Sequence, residues 1–371
     1  MSYKVFVINP GSTSTKVALF EDENKLFQKN VDHDSAELDK FAEIRDQLPF
    51  RMEAIHKALE EAGISLEGVD AFAARSGGLV SLKSGVYSVN DKLLEHVRMC
   101  YAARHPNTLG PQIALELQKK YGGRIFCVNP PDVDELSDVE RVSGFHEFFR
   151  EAKGHPLNQK ENCIRYAKAH GRRYEDMNLI CCHIGGGVSV GAHRNGKLFC
   201  VNDAVNGDGP MAPTRAGWLP ATKLVHLCFS GKYTERELYD RIVKNGGISD
   251  HLGTSDMREV SERVEKGDKY AILIYEAFIY QIAKAVGGCA AALKGKVDAI
   301  ILTGGIAHDE VLVEKLTEYV GWIAPISVQA GEFEMEALAA GAIRAMEGEE
   351  EVLEYTGIPV FTDFEYLKEQ K

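Results

Sequence analysis

The first apolar segment of the chain ends at a turn that is rich in hydroxyl groups. Val5 to Ile8 form a continuous apolar run, which stops at Asn9-Pro10-Gly11. The residues Ser12 to Thr15 follow, and a second apolar run begins after Lys16. Short apolar runs separated by a segment with Gly and Pro are typical of two β-strands joined by a turn. The pattern therefore predicts strand, polar turn and strand at the start of the chain.

The same pattern recurs about half a chain later. The apolar run Leu179–Cys182 leads to Gly185-Gly186-Gly187, and alternating apolar residues then begin at Val188. Asn195-Gly196 is a typical hairpin turn before the next strand. A third apolar strand ends at Thr303-Gly304-Gly305 and leads into a helical pattern. A repeated supersecondary unit predicts two related domains.

Segments with the apolar spacing of α-helices lie between these strands. In residues 36–63 apolar side chains recur at every three or four positions, and Gly63 ends the pattern. Asn90 predicts the N-cap of a further helix that runs to His105-Pro106. Residues 331–348 form an Ala-rich helical segment near the end of the chain. Strands and helices alternate, so we expect an α/β fold.

Composition narrows the class of protein. The chain has 371 residues, of which 44% are hydrophobic, and this is enough for two folded domains. Its net charge is -12, and it has no dense cluster of Lys and Arg of the kind that binds nucleic acid. No apolar run reaches the roughly 20 residues of a membrane span, and the N-terminus lacks the apolar region of a signal peptide. The eight cysteines are scattered without a C-x-x-C pair, which argues against a disulfide framework or a zinc site. We expect a reduced, cytoplasmic enzyme that binds neither nucleic acid nor membrane.

The glycine turns do not match the common nucleotide motifs. The turn Gly185–Gly187 is followed by a strand pattern, whereas a dinucleotide fingerprint requires a helix there, and the chain has no P-loop. Backbone N–H groups and hydroxyls in a tight turn can nevertheless bind phosphate oxygens. We therefore expect two turns, one on each related domain, to hold a phosphate chain. In the first, Lys16 neutralises charge and Asn9 positions phosphate or metal.

Five segments together resemble the acetokinase family. They are INPGSTSTKVALFED, HIGGGVSVGAHRNGK, GTSDMRE, ILTGGIAH and GEFEMEALAAGAIR. Within that family, INPGSTST and HPLNQK resemble the butyrate kinases and branched-chain fatty acid kinases more than the acetate kinases. The resemblance implies the fold of the sugar kinase, heat-shock-protein-70 and actin superfamily, with two ribonuclease-H-like domains and a cleft between them. It also implies that the C-terminal helix returns to the first domain.

The resemblance also implies a domain division and an activity. The first domain would comprise residues 1–154 and about 338–371, and the second, nucleotide-binding domain residues 155–337. The implied activity is reversible, direct in-line phosphorylation of a short-chain carboxylate such as butyrate or isobutyrate by ATP with Mg²⁺. A homodimer or higher homo-oligomer is expected.

The family motifs assign roles to individual residues. The residues expected near the transferred phosphoryl group are Arg75, His155 and Arg215. Those expected to bind phosphate or nucleotide are Asn9, Ser12, Ser14, Lys16, His183, Gly185, Gly186, Gly187, Asp256, Arg258, Gly304, Gly305 and Ile306. Asn9 and Glu334 are expected at the metal. From position alone, His155 before Pro156 could instead cap a helix.

Asn129 departs from the family pattern, which often has an aspartate at this strand end. An asparagine neither accepts a proton as a base nor carries charge. Either the role is not essential, or Asp132 or Asp134 fills it, or the activity is reduced. A carboxylate substrate is already ionised at neutral pH, so the reaction does not require a strong base.

Three other functions remain open from the sequence. One is an acetate or propionate kinase of the same family. Another is a slow ATP-binding switch of the heat-shock type, which would need a further substrate domain or partner surface. The third is a sugar kinase, which would need an aspartate base for a hydroxyl nucleophile.

Overall fold

The computed structural model describes residues 2–364, and these form two compact units. Unit 1 comprises residues up to Asp134 and those from Phe333 onward, and unit 2 comprises Glu135–Glu332. The division therefore lies before the predicted boundaries at 154/155 and 337/338. Residues 135–154 belong with unit 2, and residues 333–337 with unit 1.

The regular elements of the described residues are numbered along the chain. The strands are β1 (Lys4–Pro10), β2 (Ser14–Glu21), β3 (Asn24–Asp32), β4 (Ala71–Ala74), β5 (Val86–Ser88), β6 (Arg124–Val128), β7 (Leu179–Ile184), β8 (Val188–Arg194), β9 (Lys197–Val201), β10 (Ala299–Gly304), β11 (Ile326–Ala330) and β12 (Val352–Glu354). The α-helices are α1 (Ser35–Leu38), α2 (Leu48–Glu61), α3 (Asp91–Met99), α4 (Gly110–Tyr121), α5 (Asp138–Arg141), α6 (Pro156–Ala169), α7 (Ala221–Cys228), α8 (Glu235–Val243), α9 (Ile248–Leu252), α10 (Met257–Glu265), α11 (Lys269–Ala292), α12 (Glu310–Val320) and α13 (Glu334–Glu347). Short 3-10 helices cover Ile44–Gln47, Pro106–Leu109, Tyr174–Asp176 and Gly305–His308.

The two units share one sheet topology, which confirms the predicted repeat. Unit 1 has the strand order β12-β5-β6-β4-β1-β2-β3, and unit 2 has β11-β10-β7-β8-β9. In each unit an antiparallel meander (β1–β3 or β7–β9) is extended by two parallel strands (β4 and β6, or β10 and β11). Strands β5 and β12 are additions at the edge of the sheet in unit 1.

Helices cover both faces of the sheet in unit 1. Phe6 and Ile8 of β1 and Phe72 of β4 are fully buried and pack in one cluster with Ile113 of α4. On the opposite face α13 lies against β1, β4 and β6. The central strands read as continuous apolar runs because both of their faces are buried. The packing of α13 confirms the expected return of the C-terminal helix to the first domain.

The sheet in unit 2 is also covered on both faces. Cys181 and Ile301 face α6, whereas Cys182 and Leu302 face the cluster that contains α11 and α12. Within the described residues α11 is, by length and composition, the helix that could cross a membrane, although Glu276, Gln281 and Lys284 interrupt its apolar sequence. Its buried side chains belong to this core, as in a soluble protein.

Two predicted helices are shorter than expected. The segment 36–63 is divided into α1, a 3-10 helix and α2, because Pro49 lacks a backbone N–H and lies in the first turn of α2. Helix α3 begins at the predicted cap, where Asn90 accepts from the backbone N–H of Leu93. It ends at Cys100, whose left-handed backbone stops the helix before His105.

Candidate active site

The first turn closes tightly between β1 and β2. The backbone N–H of Gly11 donates to the carbonyl of Ser14 at 2.8 Å, and Asn9 lies opposite Lys16 in the strand register. Ser12 is exposed at the tip of this turn. The turn forms one wall of a pocket in unit 1. The lining residues are Asn9, Pro10, Gly11, Ser14, Lys16, Arg75, His105, Asn107 and Glu334.

The carboxylate of Glu334 contacts two other predicted site residues, Arg75 and Asn9, in this pocket. Arg75 follows β4 directly, and its backbone N–H donates to the carbonyl of Ile8. Its Nη1 lies 3.1 Å from Oε1 of Glu334, the first residue of α13. The Nδ2 of Asn9 donates to the other oxygen of Glu334 at 2.8 Å. The Arg75 and Glu334 side chains are only 12% and 21% exposed, so the protein fixes the charges within the pocket.

His105 and Asn107 are pocket residues that sequence reasoning missed. His105 precedes the 3-10 helix Pro106–Leu109, and its Nδ1 accepts from the backbone N–H of Asn107 at 3.1 Å. His105 keeps contact with solvent, but partial desolvation lowers the pKa of its imidazole, and the charge of Arg75 acts in the same direction. The signal in the sequence was a histidine beside Pro and Asn after a helix, which was interpreted only as a helix stop.

Arg51 supports the first turn from inside unit 1. It lies on α2 and is fully buried. Its guanidinium donates to the carbonyl oxygens of Gly11 and Ser14 at 3.0 Å and to that of Ser12 at 3.1 Å. Burial lowers its pKa to about 10, which leaves it charged at neutral pH. These carbonyl dipoles are therefore bound to a cation and do not oppose an anion in the pocket.

We expect Arg51→Met to lower the free energy of unfolding by about 3 kcal/mol, because several partly buried carbonyls lose their donor. Urea unfolding of the full chain measures the change. Arg45→Met, at an exposed position in the preceding 3-10 helix, is the matched control. Equal unfolding midpoints for the two variants would show that Arg51 does not hold the turn.

The second turn lies between β7 and β8 in unit 2. The N–H of Gly185 donates to the carbonyl of Gly187 at 3.1 Å, and the hydroxyl of Thr214 donates to the carbonyl of Gly186 at 3.2 Å. Arg215 packs directly against Gly187, where a Cβ atom would overlap its Nη1. The structure thus brings Arg215 to the predicted phosphate turn.

Arg215 is held in a partly buried position. Its Nη1 donates to the carbonyl of Ala204 at 2.8 Å. Burial lowers the pKa of its guanidinium, and the nearby carboxylate of Asp203 opposes this shift. Arg215 can therefore present a positioned cation beside the backbone of the second turn.

The two predicted histidines of unit 2 stack on each other. The ring centroids of His155 and His183 lie 3.8 Å apart, with planes 17° from parallel. The Nδ1 of His155 lies 2.9 Å from the hydroxyl of Ser189, and the Nδ1 of His183 lies 3.1 Å from Oδ1 of Asn158. His155 occupies the N-cap position of α6, but its side chain makes no capping hydrogen bond. His155 is therefore the N-cap residue by position, as the alternative expected, but its imidazole does not cap the helix.

The third turn lies beside the second one. Strand β10 pairs in parallel with β7, with Thr303 opposite His183. Gly304 has a φ of 93°, and a side chain there would overlap the backbone of Ile184. Only glycine suits both the left-handed backbone and this close approach. Gly305 and Ile306 begin the 3-10 helix that follows.

Asp256 and Arg258 form an exposed pair at the start of α10. Asp256 caps this helix, and Nη2 of Arg258 lies 2.7 Å from its carboxylate. Hydrogen bonds from Arg258 lower the pKa of Asp256 to about 2. This contact explains the two residues as a local cap and ion pair, and their nucleotide-binding role stays a prediction.

Asn129 has a structural role in unit 1. It follows β6 with a left-handed φ of 38°, a conformation for which Asn is enriched. Its buried Oδ1 accepts from the hydroxyl of Ser84 at 2.8 Å and from the N–H of Gly85 at 2.9 Å. The side chain thus binds two donors of the loop before β5, for which an amide oxygen suffices.

The predicted metal position has few protein ligands. Within residues 2–364 no group of three or more His, Cys, Asp or Glu side chains could hold a metal ion. Glu334 provides one carboxylate, and Asn9 provides an amide. Mg²⁺ in kinases is bound by one or two carboxylates together with substrate phosphates, so this donor set fits that ion.

Comparison with known proteins identifies relatives along nearly the whole chain. A probable butyrate kinase from Clostridium botulinum (strain Alaska E43, type E3) is 46% identical over 96% of this chain and 100% of its own length. Butyrate kinase 1 from Clostridium acetobutylicum is 44% identical over 95% of this chain and 99% of its own length.

A solved structure and a family model agree with this result. The crystal structure of Porphyromonas gingivalis acetate kinase matches with a TM-score of 0.72 and 20% identity, covering 93% of this chain and 100% of that one. This likeness confirms the predicted fold of two ribonuclease-H-like domains. The sequence model of the acetokinase family matches residues 160–322. The chain belongs to the acetokinase family.

Proposed function

We propose that this protein catalyses the reversible, ATP-dependent phosphorylation of a short-chain carboxylate, butyrate or isobutyrate, to the acyl phosphate. The observation that carries the proposal is the 46% identity to a probable butyrate kinase over 96% of the chain. The pocket in unit 1 supports it, because Lys16 and Arg75 give it the cations that an anionic substrate requires.

The reaction needs charge neutralisation more than proton transfer. A carboxylate oxygen of the acid attacks the γ-phosphorus of ATP, and the bond from that phosphorus to the β,γ-bridging oxygen breaks. The products are the acyl phosphate and ADP, and no proton leaves the nucleophile. The transition state carries its charge on the equatorial oxygens of the phosphoryl group. In the proposed mechanism Arg75 and Arg215 donate to these oxygens, because a guanidinium binds two oxygens at once.

The ion pair of Arg75 with Glu334 orients the guanidinium before substrate binds. Arg215 is restrained by its bond to Ala204 and its contact with Gly187. Such preorganised donors lower the barrier because they need not reorganise during the reaction. His155 donates a further hydrogen bond to the phosphoryl group in this proposal.

The glycine turns and their neighbours bind the nucleotide in the proposed mechanism. Lys16 and the hydroxyls and N–H groups of the first turn contact phosphate oxygens, and Arg51 holds the carbonyls of that turn. The other proposed nucleotide ligands are Asn9, Ser12, Ser14, His183, Gly185, Gly186, Gly187, Asp256, Arg258, Gly304, Gly305 and Ile306.

Glu334 and Asn9 would hold Mg²⁺ in this proposal. The ion, when bound, offsets negative charge on the β- and γ-phosphates. We further propose that the protein acts in the cytoplasm as a homodimer or higher homo-oligomer.

Trapping with hydroxylamine tests the proposed reaction. The purified chain with ATP, Mg²⁺ and butyrate should form butyryl hydroxamate, because an acyl phosphate acylates hydroxylamine. Release of ADP should depend on the acid. ATP hydrolysis that is unchanged by butyrate, without hydroxamate, would instead favour a slow ATP-binding switch.

A further inference from the structure

A chain of buried polar side chains leads from His155 into the interior of unit 2. The hydroxyl of Ser189 lies 2.9 Å from Nδ1 of His155 and 2.7 Å from Nε2 of Gln159. The Oε1 of Gln159 lies 3.0 Å from Nε2 of His193, whose Nδ1 lies 2.7 Å from the hydroxyl of Tyr174. Ser189, Gln159 and His193 are fully buried, and Tyr174 is 6% exposed. These four residues are called the Ser189–Tyr174 chain below.

One backbone carbonyl fixes the direction of every bond in this chain. The carbonyl oxygen of Ser189 only accepts, and it lies 3.1 Å from Nε2 of Gln159. Nε2 is therefore the amide nitrogen, and Oε1 is the acceptor that faces His193. His193 must then carry its proton on Nε2, so its Nδ1 accepts from the hydroxyl of Tyr174.

The same logic extends to His155. The amide of Gln159 donates to the hydroxyl oxygen of Ser189, which leaves the hydroxyl proton of Ser189 to be donated. Nδ1 of His155 is the acceptor within reach at 2.9 Å. If Nδ1 carried a proton instead, two donors would point at the Ser189 oxygen and its own proton would lack this acceptor. A buried donor without a partner is costly.

We propose that the Ser189–Tyr174 chain holds His155 as the tautomer with an acceptor Nδ1 and a proton on Nε2. The four residues are positioning residues, since they act through His155. The inference rests on the proposed function, in which His155 donates to the phosphoryl group. The neutral ring can make that donation through Nε2–H without first binding a proton.

The surroundings of the chain support a fixed direction. Burial lowers the pKa of His193 to about 3, and the charge of Lys160 acts in the same direction, so His193 is neutral and has one proton to place. Lys160 is itself paired with Glu135 at 2.7 Å. The stacked ring of His183 limits rotation of His155. Because the hydrogen bonds of the Ser189–Tyr174 chain all have a fixed donor and acceptor, His155 has one orientation and one tautomer.

Nitrogen-15 NMR of the full-length, histidine-labelled protein tests the assignment. At pH 8 without substrates, the two-bond proton–nitrogen couplings should show a protonated Nε2 and an unprotonated Nδ1 for both His155 and His193, with signals assigned from His155→Gln and His193→Gln. A protonated Nδ1 in His155 would overturn the proposal. This readout needs no turnover, so absent hydroxamate formation would reject the proposed function and leave the tautomer assignment standing.

Ser189→Ala tests the link between chain and ring. We expect the His155 signals to shift toward a mixture of tautomers and kcat to fall on the order of tenfold, with the KM for ATP nearly unchanged, because a mispositioned group affects the transition state most. Tyr174→Phe should leave the proton of His193 on Nε2, because Oε1 of Gln159 still accepts from it, and should cause a smaller loss in kcat. Ser261→Ala, a serine on α10 with its own hydrogen bonds, is the matched control. If folded Ser189→Ala keeps the same His155 tautomer, the proposal is overturned. If that variant does not fold, the position of the proton on His155 in the wild-type spectrum tests the proposal instead.

Discussion

Arg75→Ala is expected to lower kcat by on the order of a hundredfold or more, because removing one preorganised donor to a charged transition state costs about that much. In the structure this guanidinium forms an ion pair with Glu334 in the pocket beside the first turn. Steady-state kinetics with butyrate and ATP measure the loss. Arg75→Lys keeps the charge but lacks the two-pronged geometry, so we expect it to recover only part of the rate.

Arg236→Ala is a matched control for Arg75→Ala. Arg236 also pairs with a carboxylate, that of Asp240 at 3.0 Å, but its side chain is 77% exposed on α8. Exposed pairs of this kind contribute little to stability, so this variant should keep the wild-type rate. Wild-type turnover in folded Arg75→Ala would remove Arg75 from the mechanism.

Arg215→Ala and Gly187→Ala are expected to impair the same step. A Cβ at position 187 would overlap Nη1 of Arg215, and the flexible end of that side chain can move away. Such a move breaks its bond to the carbonyl of Ala204 and displaces the guanidinium. We expect each variant to lower kcat by on the order of a hundredfold, since small misplacements of a catalytic group have effects of this size.

Gly186→Ala separates this displacement from a general effect on the turn. A Cβ at position 186 would meet no atom within 4 Å, and alanine keeps the backbone N–H through which Gly186 would bind phosphate, so the variant should retain most of the activity. Thermal unfolding of all three variants shows whether each is folded. Equal rates for Gly187→Ala and Gly186→Ala would contradict the proposed role of the Arg215 position.

The local pattern of apolar and polar residues was sufficient to predict the central strands of both units. Apolar runs that stop at polar or glycine turns gave β1, β2, β7, β8 and β10, because fully buried strands and their turns leave a direct trace in the sequence. The recurrence of this pattern gave the repeat. The broken helix at 36–63 was missed because its first part has helical spacing, while Pro49 sets the true start of α2.

Long-range partners could not be predicted from local pattern. Arg51 has the spacing of an ordinary helix residue, yet its burial depends on carbonyl groups some 40 positions earlier. The contact between Asn9 and Glu334 spans 325 positions. His155 was assigned by resemblance, and Gln159, Ser189 and His193 lie in quoted motifs, but the pattern did not predict that they form a hydrogen-bonded chain that ends at Tyr174.

The most direct test of the central claim is kcat/KM for a series of carboxylates at fixed ATP and Mg²⁺. Each buried methylene contributes ~0.8 kcal/mol, so two additional methylenes should favour butyrate over acetate by on the order of tenfold or more. Isobutyrate should also react, because an apolar pocket discriminates weakly between chains of similar size. Acetate that equals or exceeds both C4 acids would contradict the assignment to butyrate and favour an acetate kinase.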